Sequence, residues 1–141
     1  PAGVLVHDGR LVVADAWHHR ILVWNTVPQS SDVAPDLVLG QPDAASVTEN
    51  RGGVCSASTL YWPFGIGIIG SAFWVADTGN RRVLGWRNGI PEPDQPPTWC
   101  WGSPMRPRGR RIGVVRSVRP RSAGPPRHHR PRRSAAGRRR R

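Results

Sequence analysis

The chain repeats itself. Residues 1–28, PAGVLVHDGRLVVADAWHHRILVWNTVP, lie without a gap on residues 63–90, PFGIGIIGSAFWVADTGNRRVLGWRNGI, at a spacing of 62. Identity holds at Pro1/Pro63, Gly3/Gly65, Val13/Val75, Ala14/Ala76, Asp15/Asp77, Arg20/Arg82, Leu22/Leu84 and Trp24/Trp86. Val4/Ile66, Val6/Ile68 and Ile21/Val83 keep a β-branched shape. Such a repeat restricts the architecture at once, because each copy must be one supersecondary unit whose apolar face is covered by a neighbour.

Within each copy the apolar residues fall into short segments separated by turn residues, which predicts strands. In the first copy these are Gly3 to His7, Leu11 to Ala14, Arg20 to Trp24 and Asp36 to Gly40. Asp8-Gly9 supplies a tight hairpin turn, since both residues tolerate positive φ. Residues 26–35 and 41–59 are rich in Pro, Ser, Asp and Gly and are predicted as loops. No stretch carries a sustained helical period. The predicted fold is all-β: about two tandem four-stranded antiparallel blades over residues 1–95, an incomplete ring of a β-propeller.

At the second and third strands the residues resemble a known family. VVADAWHHRILVW and WVADTGNRRVLGW are similar to NHL repeats, whose core reads roughly V-A-D-T-x-N-x-R-V. The second copy follows that core closely, whereas the first has His18 at the Asn position and Ala16-Trp17 in place of Thr-Gly. The resemblance covers about residues 1 to 94 and implies a six-bladed propeller-like fold, with no particular activity attached. It identifies Asp15, Arg20, Trp24, Asp77, Asn80, Arg82 and Trp86 as the recurring structural motif.

Asp15 and Asp77 each open a turn, and Arg20 and Arg82 follow five residues later on the returning strand. A carboxylate there can accept backbone N–H bonds and pair with the arginine, pinning the hairpin of every blade. A catalytic residue has no reason to recur once per repeat, so no catalytic or cofactor-binding residue is assigned. His18-His19 raises the question of a metal, but adjacent strand residues face opposite ways and rarely share an ion, and His7 adds no recognisable spacing. Trp17, Trp24, Trp62, Trp74 and Trp86 could line a ligand face. Trp24 and Trp86 recur with the repeat and are expected between blades, while Trp17, at a loop tip with His18 beside it, is the candidate surface contact.

The third copy should begin where the chain changes character. Residues 1–96 contain nine acids and six arginines, net −3, whereas residues 97–141 contain fifteen arginines and no acid; the chain has no lysine. Evolved basic arms usually mix both cations. Residues 96–105 read PPTWCWGSPM, where the spacing of 62 expects an image of PDLVLGQPD (35–43). Codons explain the mismatch. Trp is TGG, Cys is TGT or TGC, and Gly begins GG, so reading Trp99-Cys100-Trp101-Gly102 one base earlier forces Val-Leu-Gly, the image of Val38-Leu39-Gly40. Residues 96–141 are therefore expected to be a disordered, Arg/Pro-rich, out-of-frame tail, produced by a single-base insertion or deletion near Pro96. Fifteen guanidinium groups would still bind polyanions nonspecifically, and an evolved nucleic-acid-binding arm is the competing reading.

Three function classes follow. The first is a noncatalytic propeller scaffold on which loops such as 41–62 bind a protein or small ligand. The second, implied by propellers resembling this family, is a lyase or hydrolase with a metal at the central channel. The third is nucleic-acid binding through the tail. The chain opens at Pro1 without Met and reads as a piece of a longer protein, so an export signal would be invisible. No apolar run is long enough to span a membrane. With Cys100 in the out-of-frame segment, Cys55 is left without a disulfide partner, and cysteine usage assigns no compartment. Two blades alone should be only marginally stable, because each leaves an edge and an apolar face uncovered.

Overall fold

The computed structural model describes residues 1–103. These form two four-stranded antiparallel sheets, each ordered as in the sequence. The first comprises β1 (Gly3–His7), β2 (Arg10–Asp15), β3 (Arg20–Trp24) and β4 (Leu37–Leu39). The second comprises β5 (Pro63–Ile69), β6 (Ala72–Asp77), β7 (Arg82–Trp86) and β8 (Trp99–Gly102). Helical structure among the described residues is limited to short 3-10 turns, Ala16–His18, Glu49–Gly52 and Thr78–Asn80. Asp8 (φ 48°) and Gly9 (φ 75°) close the first hairpin with two positive-φ residues, the geometry that matches strand twist.

The sheets are copies in register as well as in sequence. Val4↔Val13, Leu11↔Trp24 and Asp15↔Arg20 in the first become Ile66↔Val75, Phe73↔Trp86 and Asp77↔Arg82 in the second. The same shift carries Leu22↔Val38 onto Leu84↔Cys100. Strand β8 thus occupies the slot that β4 fills, although its residues belong to the segment expected to be tail. The expectation that the second unit ends at 95 is corrected by this strand. Ladder bonds use backbone N–H and C=O groups, so Trp-Cys-Trp can stand where Leu-Val-Leu stands in the first sheet. Gly40 (φ 91°) and Gly102 (φ 105°) both leave the strand through a left-handed turn. The tail beyond residue 103 lies outside the described residues.

Side chains alternate across a strand, so the registers define two faces per sheet. One face of the first sheet, carrying Val12, Ile21, Val23 and Leu39, packs on the opposite kind of face of the second, carrying Phe73, Val75, Leu84 and Trp86. Leu60, from the connecting segment, completes this core. Both outer faces expose large apolar side chains. On the first sheet Val4 is 65% exposed and Val6 58%, while on the second Ile69 is 72% exposed and Trp101 48%.

Candidate functional site

The charged motif lies at the end of each sheet where strands two and three turn. Asp77 and Arg82 side chains are fully buried and paired, Arg82 Nε donating to Asp77 Oδ2 at 2.6 Å. Asp77 also accepts the Tyr61 backbone N–H at 2.8 Å and the Asn80 Nδ2–H at 2.8 Å. Arg82 Nη2 reaches back to the Ser56 and Thr59 carbonyls at 2.8 and 2.7 Å. The pair therefore ties the 56–61 connector to the turn. These bonds offset much of the cost of burying the ion pair, although Arg82 Nη1 is buried with no hydrogen-bond partner among the described residues.

The first sheet repeats the arrangement nearer to solvent. Arg20 Nε donates to Asp15 Oδ2 at 2.8 Å, with the side chains 13% and 16% exposed. His18 Nδ1 bonds the Asp15 carboxylate at 2.9 Å, as Asn80 bonds Asp77, so the histidine performs the asparagine's task. Arg20 also donates to the Ala44 carbonyl, which tethers the following loop. Burial works to raise the Asp15 carboxyl, but hydrogen bonds from His18 and Arg20 outweigh it and hold the group below its usual value.

Trp24 and Trp86 carry out an additional task. Their indole N–H groups donate to the carbonyls of Val33 (2.9 Å) and Gln95 (3.0 Å), closing the long loop before the fourth strand in both copies. Trp86 is buried against Phe73 in the core between sheets, whereas Trp24 is half-buried on the outer face of the first sheet. Trp17 is 67% exposed and meets Trp62 and Phe64 edge-on, with ring centroids 6.1 and 6.3 Å away. At the corresponding position Gly79 has no room for a side chain, since a Cβ would lie 2.6 Å from the Tyr61 carbonyl oxygen.

His19 faces away from His18 and is 7% exposed. Its Nδ1 accepts the Trp62 N–H at 3.2 Å, which requires the tautomer protonated on Nε2, with Glu49 3.9 Å from that nitrogen. Burial lowers its affinity for a proton, against the opposing pull of Glu49. Because the folded-state value lies below the ordinary 6.5, unfolded chains bind the proton more readily. Folding stability is expected to be complete above pH 6.5 and to decline as pH falls below it. Urea midpoints against pH should show this slope, and His19→Asn should flatten it, since asparagine tolerates the left-handed φ of 56°.

Sequence reasoning missed the contacts that pin the 41–59 loop. Arg51 bonds Asp94 at 2.5 Å as well as the Gly40 and Gln41 carbonyls. Asn50 and Asn80 exchange side-chain bonds at 2.9 and 3.0 Å, and Gln41 Nε2 donates to the Thr48 carbonyl at 2.7 Å. A loop held this firmly presents Val47 and Val54, 47% and 65% exposed. Also unforeseen was the indole stack on the second sheet. Trp74 lies 5.1 and 5.0 Å from Trp99 and Trp101, tilted by 17° and 20°, over a shelf made by Gly85, where a Cβ would come within 2.0 Å of the Trp74 ring.

Among the described residues no group of three His, Cys, Asp or Glu side chains converges as a metal site. No described helix is long and apolar enough to cross a membrane. Burial pushes the Cys55 thiol up, the wrong direction for a nucleophile. Comparison with family models, curated proteins and solved structures found no match.

Proposed function

We propose that the chain is a noncatalytic scaffold built of NHL-type propeller blades, which binds a protein or small ligand through its loops. One observation carries the reading: the Asp–Arg pair recurs at the same register in both sheets and is spent in each on holding loops. The carboxylates that would otherwise suggest chemistry already accept bonds from arginine, Asn80 or His18. The contact surface is the pinned 41–59 loop together with Trp17, where valine and indole surface stands out on rigid backbone.

Elemental analysis of the purified full chain after dialysis tests this. The expected result is no stoichiometric calcium or zinc. One tightly held ion per chain would replace the scaffold with a metal-dependent lyase or hydrolase.

A further inference from the structure

The two outer faces are counterparts of the two faces already packed together. On the first sheet Val4, Val6, Leu11, Val13, Leu22 and Trp24 point outward; sixty-two residues later Ile66, Ile68, Phe73, Val75, Leu84 and Trp86 point into the core. The outer face of the second sheet corresponds in the same way to the inner face of the first, with Val83 at the position of Ile21 and Trp99 and Trp101 at those of Leu37 and Leu39. Each molecule therefore displays a copy of both halves of its own intersheet contact.

We propose that these faces bind a second copy of this chain head to tail, the outer face of its first sheet on the outer face of the other molecule's second sheet. The occupant follows from the existing interface, in which the same two kinds of face meet at matching register. The Asp15–Arg20 pair on the docking face is already internally neutralised, so covering it leaves no unpaired charge. Val4 and Val6 stand as β-branched apolar residues in water, and Trp101 adds a half-exposed indole opposite them. Such a contact is heterologous, so each added copy leaves one face of each kind free. Assembly continues until a ring closes or an open chain grows. The inference rests on reading the sheets as stacking units, and is independent of the metal analysis that tests the scaffold.

The test is sedimentation of the full chain over a range of concentrations in high salt, which screens attraction between the arginine-rich tail and the acidic body. Wild type is expected to exceed the mass of one chain and to grow with concentration. Val6→Lys blocks one face and Trp101→Lys the other, so each variant alone should sediment as a monomer. Mixing them should restore a twofold mass, because the mixture retains one intact face of each kind. Val4→Lys and Ile69→Lys serve as second variants should either of the first lose its unfolding midpoint. A monomeric wild type overturns the proposal. So does an association that one variant abolishes without rescue on mixing, which would be an isologous contact, or one that salt abolishes, which would belong to the tail.

Discussion

Asp77→Ala is expected to cost about 3–5 kcal/mol of folding stability, because it strands the Arg82 guanidinium without its carboxylate in a site closed to water. The loss includes more than one charge pair. Asp77 also holds the Tyr61 N–H and the Asn80 amide, so the connector and the turn both lose their anchor. Asp15→Ala makes the same chemical change at the same repeat position. There the pair keeps an edge in water, and the cost should be smaller, about 1–3 kcal/mol. Paired denaturation curves of the two variants check the difference, and equal losses would mean that the burial of the second pair carries no weight.

Phe73→Ala is expected to cost about 3–5 kcal/mol, by removing from the contact between the sheets the largest fully buried side chain among the described residues. Phe73 is 0% exposed and lies 6.1 Å from the Trp86 ring, so truncation leaves a cavity bounded by both sheets. Set against a typical total of about 5–15 kcal/mol for a whole domain, this leaves little. Leu11, at the same repeat position on the outer face, is half-buried, and Leu11→Ala should cost about 1 kcal/mol. The measurement is again the unfolding free energy. Should Leu11 prove as costly as Phe73 in a chain that is already associated, the outer face would be covered in solution, as the head-to-tail contact requires.

Both contrasts show where the sequence could be read and where it could not. Strand positions, the Asp8-Gly9 turn and the Asp–Arg pairing followed from local pattern and from the repeat, since these are properties of one unit. Asp15 and Asp77 nevertheless look identical in the sequence, and nothing local says that one is fully buried and the other keeps an edge in water. That difference belongs to stacking, which is settled by which neighbour covers which face. The Asn50–Asn80 and Arg51–Asp94 contacts join residues thirty and forty-three positions apart, with no periodic signal to betray them. Trp99 and Trp101 fall in the segment whose codons point to a shifted frame, yet the ladder along β7 selects extended backbone and accommodates them.

The fourth-strand slot has a consequence for how such a chain tolerates change. Leu37-Val38-Leu39 and Trp99-Cys100-Trp101 share no residue, yet both dock on the same rung positions, and each is followed by a positive-φ glycine. At Gly102 a Cβ would lie 2.2 Å from the Arg81 carbonyl oxygen, so that position admits no side chain without moving backbone. The backbone ladder thus accepts different side chains along three residues, as long as the one at Leu39 stays apolar within the core, and admits none at the fourth. The rim of the sheet is a place where novelty can accumulate, provided that one hinge atom stays hydrogen.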